Sequence, residues 1–268
     1  MALCLAVAAL LPVSARADAG PADPRLDPRK VLEMSEAALG REVGAHRLID
    51  SQGRVFSLAA YRGRPLVVSL VYTSCSSVCP TATQHLIGAV TQARRALGRE
   101  TFAVLTVGFD ARRDTPKQLA SFASAQGIDT AGWRLASGDE ASLAALLADL
   151  GFSYVAAAGG FEHITQTSIL DADGRVYRHV YGDDFPIQVF VEPLKELVFG
   201  VVTRSLSMTG LVDRLKFLCT IYDANLGRYR TSYAIALGIG IGGLSLVATG
   251  AVLLAAWRQT RRQERRPA

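Results

Sequence analysis

The stretch that decides the fold reads PLVVSLVYTSCSSVCP and covers residues 65–80. Its first part, Pro65 to Tyr72, is uncharged and rich in β-branched residues, which is typical of a central strand buried on both faces. The residues from Thr81 to Leu97 have the apolar spacing of a helix. Cys75 and Cys79 therefore lie where a strand ends and a helix begins.

The sequence on either side of this stretch alternates between strand and helix patterns. Apolar runs predict further strands at His46–Ile49, Val55–Leu58, Phe102–Val107, Thr167–Leu170 and Val176–Tyr181. Apolar periodicity and capping residues predict further helices at Val31–Leu39, Asp114–Ala125, Ala141–Leu150 and Glu192–Phe199. This order of elements predicts a mixed α/β sheet with helices on both faces.

Composition and charge exclude several classes of protein. Half of the 268 residues are apolar, which excludes a disordered chain, and four cysteines are too few for a disulfide-dense scaffold. The net charge is +5, but residues 258–268 alone contribute +4 through five arginines and one glutamate. Because the rest of the chain is nearly neutral, we expect no nucleic-acid partner.

Both ends of the chain have features of membrane targeting. An apolar run followed by a small-x-small pattern at Ala15 and Ala17 predicts a signal peptide. Tyr233 to Trp257 is an uncharged run followed by arginines, which predicts a C-terminal transmembrane helix with a cytoplasmic tail. Together these features predict a bacterial inner-membrane protein whose main domain lies in the periplasm.

The predicted organisation has six segments along the chain. They are a signal peptide (1–17), a flexible lead-in (18–42), a folded domain (43–199), a connector (200–232), a membrane helix (233–257) and a basic cytoplasmic tail (258–268).

Cys75 and Cys79 are the sharpest chemical feature of the sequence. Positions i and i+4 of a helical turn share one face, so both sulfurs can point to one spot. The free N–H groups and the positive dipole end of the helix lower the pKa of a nearby thiol, and the thiolate is the form that binds metals and exchanges disulfides. Two converging thiolates suit a soft ion, Cu(I) above all, but the pair could also close a disulfide, redox-active or structural.

A third metal ligand has to come from elsewhere in the chain, which contains four histidines. His85 lies six residues beyond Cys79 on the same predicted helix and faces away from it. His46 and His179 fall in predicted strands. His163 lies in the segment GGFEH before the last predicted hairpin, and a glycine-containing loop can deliver a ligand. Its position alone fits either a metal ligand or an ordinary loop histidine.

Three separated features resemble the Sco/SenC family of copper chaperones. The stretch CSSVCP, Cys75 to Pro80, is similar to the family's Cys-x-x-x-Cys-Pro metal motif. The stretch DARRDTP, Asp110 to Pro116, resembles the family's Asp-x-x-x-Asp-Thr segment. His163 stands ten residues before Asp173-Gly174, much like the family's metal-binding histidine. The resemblance covers about residues 43–199.

The resemblance implies a thioredoxin-like fold with Cys75, Cys79 and His163 as ligands to copper, as Cu(I), Cu(II) or both. It also implies a role in assembling the binuclear copper centre of cytochrome c oxidase, with the copper-centre subunit or another copper chaperone as partner. The chain departs from the family in its predicted C-terminal anchor, in the non-acidic Ser76-Ser77-Val78 between the cysteines, and in Glu162 before the histidine, where aspartate is common.

The sequence is consistent with three functions. The leading hypothesis is a copper chaperone that is not an enzyme. The second is a thiol–disulfide oxidoreductase that keeps a client's cysteines reduced with Cys75 and Cys79, and does not require His163. A peroxidase-type enzyme ranks lowest, because no arginine stands close to Cys75 in the sequence.

The aspartates Asp110 and Asp114, and the cysteine Cys219, each have more than one possible role. Asp114 is predicted to be a helix N-cap, with Pro116 in the first turn, and Asp110 follows the end of a strand. Either aspartate could lie around the metal behind its ligands, and Asp110 could instead be an extra ligand for Cu(II). Cys219 fits a buried thiol, an intermolecular disulfide or an accessory metal ligand.

Overall fold

A computed structural model describes residues 26–157, 159–200, 220–223, 228–231 and 234–264. The predicted signal peptide, most of the predicted connector and Cys219 lie outside these residues.

The domain is organised around a seven-stranded sheet with the strand order β2-β1-β5-β4-β3-β8-β9. The strands of this sheet are β1 (Arg47–Asp50), β2 (Val55–Ser57), β3 (Leu66–Val71), β4 (Ala103–Gly108), β5 (Trp133–Ser137), β8 (Gln166–Leu170) and β9 (Val176–Tyr181). Two separate hairpins are formed by β6 (Tyr154–Ala157) with β7 (Gly160–His163), and by β10 (Thr220–Asp223) with β11 (Arg228–Thr231).

The helices are α1 (Pro28–Glu36), α2 (Val78–Leu97), α3 (Pro116–Gln126), α4 (Glu140–Asp149), α5 (Ile187–Lys195), which continues as a π-helical turn (Glu196–Gly200), and α6 (Ala234–Glu264), with a short 3-10 helix at Leu58–Tyr61. Helices and strands alternate from β3 to α4, whereas, within the described residues, β6 to β9 follow one another without a helix. The predicted α/β architecture, a mixed sheet with flanking helices, is confirmed.

The centre of the sheet explains why residues 65–80 decide the fold. Strand β3 runs parallel to β4, β4 runs parallel to β5, and β3 is antiparallel to β8. All six residues of β3 and all six of β4 are buried, as their uncharged sequences predict. The carboxyl ends of β3 and β4 therefore meet at one edge, where Cys75 and Asp110 follow.

The predicted starts of helix α1, of the folded domain and of helix α5 are wrong. Helix α1 starts at Pro28 and packs on the domain, with Val31 buried and the Ser35 hydroxyl donating to Gln166 Oε1 at 2.7 Å. The folded region therefore begins well before Val43, within the stretch predicted to be a flexible lead-in. Helix α5 starts at Ile187 rather than Glu192, so that Pro193 lies inside it and not in its first turn.

The N-cap of α3 also differs from the prediction. Thr115, not Asp114, caps the helix, and its hydroxyl accepts from the backbone N–H of Gln118 at 3.3 Å. Pro116 takes the first helical position, as predicted. The carboxylate of Asp114 is thereby free to make contacts outside its own helix.

The predicted transmembrane helix is not confirmed. Within the part of the chain that the structure describes, no helix is both long and apolar enough to cross a membrane.

Candidate metal centre

The two cysteines lie in the segment Tyr72–Cys79, here called the thiol turn, which links β3 to α2. The N–H of Cys75 donates to the carbonyl of Tyr72 at 3.0 Å, and the N–H of Cys79 donates to Cys75 Sγ at 3.3 Å. The N-cap residue of α2, Ser77, makes no side-chain capping bond. The sulfur of Cys75 thus accepts a hydrogen bond from a helix N–H group that would otherwise donate to a capping side chain.

The two thiols have different acidities because they are buried to different extents. Burial alone would raise the pKa of Cys75, but hydrogen bonds from the backbone N–H groups of Cys79 and Ser77 to its sulfur outweigh burial, and the pKa lies below its ordinary value. Cys79 is 3% exposed, and burial raises its pKa to about 12. Both are free thiols, with Cys75 the nucleophilic one.

Asp114 fixes the thiol turn to the loop after β4. One carboxylate oxygen accepts from the Thr73 N–H at 2.8 Å and from the Thr73 hydroxyl at 2.7 Å, while the other accepts from the Asp110 N–H at 2.9 Å. Burial raises the pKa of Asp114, although the bonds from Thr73 act in the opposite direction. The approach is so close that a Cβ on Gly108 would lie 2.6 Å from Asp114 Cβ.

Asp110 is bound within its own loop. Its carboxylate accepts from the Arg112 N–H at 3.2 Å and lies 3.8 Å from Arg113 Nη1. The residue is buried and borders a cavity of about 650 Å³ that also touches Ser74 and Tyr154. Asp110 therefore lies beside the thiol turn.

His163 ends strand β7 in the hairpin of β6 and β7, Tyr154–His163, here called the histidine hairpin. The segment predicted as a loop is therefore partly strand. His163 Nδ1 lies 3.1 Å from the carbonyl oxygen of Ile164, which fixes the tautomer as Nδ1–H and leaves a lone pair on Nε2. Burial lowers the pKa of His163, so the ring is neutral at neutral pH.

An aromatic cluster holds the histidine hairpin against the sheet. The His163 ring lies 6.0 Å from the ring of Tyr72, and 5.5 Å from each of the rings of Phe109 and Phe152, between centroids. This cluster is not among the features predicted from the sequence. A signal for it was present, because Tyr72 and Phe109 directly follow paired residues at the ends of the parallel strands β3 and β4.

The three predicted ligands lie in one region of the structure, but they are not close enough together to coordinate one ion. His163 and Cys79 both line a small cavity of about 20 Å³, and Cys75 contacts Cys79. Among the described residues, no three His, Cys, Asp or Glu side chains are close enough together to hold a metal ion. The dithiol is in place, and the imidazole is nearby but packed among aromatic rings.

The other three histidines have partners elsewhere. His46 lies 2.7 Å from Asp149, His85 lies 2.8 Å from the carbonyl oxygen of Phe185, and His179 lies 2.9 Å from the Ser168 hydroxyl.

The fold and this site together define the class of the protein. It is a thioredoxin-like domain with a dithiol at the start of the helix after a central strand, and with an imidazole delivered from a separate hairpin. The chain belongs to the SCO1/SenC family, whose family model matches residues 35–198.

Similarity to individual proteins agrees with this family. The chain is 28% identical to the SCO1 protein homolog of Bacillus subtilis over 102 residues, which are 37% of this chain and about half (51%) of that protein. It is 26% identical to a Stutzerimonas stutzeri protein named for copper binding over 151 residues, which are 52% of this chain and 69% of that protein.

Among solved structures, the chain is similar to BsSco, described as a member of the Sco family of cytochrome c oxidase assembly proteins. The TM-score is 0.54 at 19% identity, and the match covers 60% of this chain and 95% of BsSco. This likeness shows the fold.

Proposed function

We propose that this protein is a copper chaperone that carries copper on Cys75, Cys79 and His163 and passes it to a client protein. The observation that carries this proposal is the pairing of a dithiol with a neutral imidazole beside one small cavity. Thiolates are soft ligands that select Cu(I), and neutral imidazole is a common copper ligand. Three protein ligands leave a coordination position for a ligand of the client.

The packing around His163 suggests an order of binding. The two thiols are already in contact, so they capture the ion first. His163 then turns out of the aromatic cluster and offers Nε2, while its Nδ1–H stays bonded to the Ile164 carbonyl. Asp114 holds the thiol turn behind the ligands and, with Asp110, lies outside the ligand set.

We further propose that the client is the binuclear copper centre of cytochrome c oxidase, reached through its copper-centre subunit or another copper chaperone. Family membership and the stated role of the related BsSco support this assignment. The predicted signal peptide and the uncharged run at 233–257 favour a membrane-anchored protein outside the cytoplasm.

A Cu(I) titration of the reduced whole chain against a competing chelator tests the copper site. We expect one tight equivalent in the parent, a loss of at least about 100-fold in Cys75→Ser and Cys79→Ser, and a loss of about 10- to 100-fold in His163→Ala. His85→Ala is the matched control and should bind like the parent. Equal affinity of His163→Ala and the parent would contradict the three-ligand site.

The unequal thiols support a second function, a thiol–disulfide oxidoreductase. The Cys75 thiolate would attack a client disulfide and release one client thiolate, and Cys79 would then displace the second client thiolate while a Cys75–Cys79 disulfide forms. This function predicts reduction of a disulfide substrate that survives His163→Ala. Loss of turnover in that variant would argue against it.

A further inference from the structure

An arginine-lined cavity lies at the end of the sheet where the parallel strands begin, opposite the end that carries the thiol turn. It has a volume of about 180 Å³ and is bordered by residues at the amino ends of the parallel strands, namely Arg64 before β3, Ala103 in β4, and Trp133 and Arg134 in β5. Cys75 follows the carboxyl end of β3. Because a six-residue strand is roughly 20 Å long, this cavity is separate from the candidate metal centre.

The charge around the cavity is strongly positive. Its lining includes Arg54, Arg64 and Arg134 and a single carboxylate, Asp50. Both oxygens of Asp50 are already engaged, since one accepts from the backbone N–H groups of Gln52 and Arg54, and the other accepts from Arg54 Nε at 2.9 Å. The second oxygen also lies 3.9 Å from Arg134 Nε. The lining therefore keeps a net charge of +2.

Two of the cations are held in place before any ligand arrives. The guanidinium carbon of Arg134 lies 4.4 Å from the centre of the Phe56 ring and 5.8 Å from that of Tyr61, whose side chain borders the cavity. Stacking on aromatic rings fixes the plane of a guanidinium without using its outer N–H donors. Arg54 is fixed through its Nε bond to Asp50, and Arg134 also makes a side-chain hydrogen bond to Tyr61. The Nη groups of Arg54 and the remaining N–H groups of Arg134 are left for a ligand.

A fourth arginine stands behind the cavity wall. Arg94 Nε and Nη2 are buried and have no hydrogen-bond partner within the described part of the chain. Arg94 Nη2 lies 3.1 Å from where a Cβ on Gly132 would stand, and Gly132 lines the cavity. The acidic groups acting on Arg94 are Asp129 and, more weakly, Glu100, and Asp129 is paired with Arg99 at 2.9 Å. Buried unpaired donors are uncommon and costly, and a nearby anion would stabilise this cation.

We propose that this cavity, formed by Arg54, Arg64 and Arg134, binds an oxyanion of the phosphate class. Planar guanidinium groups match the oxygens of phosphate in bidentate pairs, and three of them against one carboxylate that is already paired favour an anionic ligand. The phosphate could be free or belong to a lipid headgroup.

Calorimetric titration of the whole chain with inorganic phosphate, at constant ionic strength in chloride, tests the proposal. We expect one saturable equivalent, weakened at least about 10-fold in Arg64→Gln and in Arg134→Gln. Arg178→Gln removes the same charge from an exposed position on the edge strand β9, and this variant should bind like the parent. Because Arg134 also packs on Phe56, a thermal unfolding scan checks whether the Arg134→Gln protein is folded. If it is not, Arg64→Gln alone tests the proposal.

The same titration with glycerol phosphate and with glycerophosphoglycerol separates the two sources. Binding of the monoester but not of the diester would support a free phosphate, and equal binding of the diester would support a lipid headgroup. The absence of saturable phosphate binding, or equal weakening in Arg178→Gln, would overturn the proposal. Cu(I) affinity should not change in Arg64→Gln, so this result is independent of the copper site.

Discussion

The thiol turn and the histidine hairpin supply different parts of the candidate metal centre, and different forces hold them. The thiol turn is tied by directional hydrogen bonds, from Thr73 to Asp114 and from the Cys79 N–H to Cys75 Sγ. The histidine hairpin forms a two-stranded sheet of its own and is held by aromatic packing around Phe109 and Phe161. The thiol turn is therefore fixed by hydrogen bonds, and the histidine hairpin by packing between aromatic rings.

This difference bears directly on how a metal is taken up and released. Hydrogen bonds weaken steeply when their angles change, whereas aromatic pairs remain favourable in more than one arrangement, offset-stacked or edge-to-face. We therefore expect movement of His163 to cost less than movement of Cys75. A site with two fixed thiols and one adjustable imidazole can change its coordination number without disturbing the sheet, which is what ligand exchange with a client requires.

The largest expected effect separates the two thiols within the thiol turn. In chains that also carry Cys4→Ser and Cys219→Ser, we compare alkylation by iodoacetamide at pH 8 of Cys79→Ser, which retains Cys75, and of Cys75→Ser, which retains Cys79. The Cys79 pKa of about 12 leaves little thiolate. We expect Cys75 to react at least about 100-fold faster, because only the thiolate is nucleophilic.

Unfolding in urea provides the control for this comparison. Both variants should then react at similar rates, since the environments that separate the two pKa values are lost. Similar rates in the folded variants would contradict the assigned acidities.

A smaller effect is expected from the bond that fixes the thiol turn. Asp114→Asn replaces one acceptor oxygen by an NH₂ group, so either Thr73 or the Asp110 N–H loses its acceptor. Relief of the buried charge offsets part of this loss, and we expect a net destabilisation of about 1 kcal/mol or more by urea unfolding. The exposed Asp183→Asn should stay within about 0.5 kcal/mol of the parent. Equal stability of the two variants would show that Asp114 does not hold the turn.

The thiol turn could be predicted from the sequence because its signals are local. The uncharged run before Cys75 predicts a buried strand, and β3 and α2 fall there within a few residues of the prediction. The role of Asp114 could not be predicted in this way. Its partner Thr73 is 41 residues away in the sequence, and Asp114 also fits the local pattern of an N-cap, which Thr115 satisfies instead.

The histidine hairpin escaped prediction for a different physical reason. Strands β6 and β7 have four residues each and are mostly exposed or half-buried, so neither has the apolar pattern of a core strand. The hairpin depends on contacts with Tyr72 and Phe109, which lie far away in the sequence. The sequence therefore predicts that His163 is delivered from outside the sheet but not how it is held.

The smallest expected effect tests whether the histidine hairpin loosens when His163 becomes charged. Burial places its folded pKa below the ordinary value of 6.5. Between these two values the unfolded chain binds more protons, so stability should fall as the pH drops below about 6.5. We expect a contribution well under about 1.4 kcal/mol per pH unit, because the ring is only partly buried.

Two measurements follow this titration. The ring-proton NMR shift of His163 should change with a midpoint below 6.5. Urea unfolding between pH 7.5 and pH 5.5 should depend less on pH in His163→Gln than in the parent, while buried His179 contributes equally to both. A midpoint at or above the ordinary value would mean that the ring is solvated, and that aromatic packing does not hold the hairpin. If the midpoint is low, protonation and metal capture both draw His163 out of the same packing, so below that midpoint protons compete with the metal for the imidazole as well as for the thiolates.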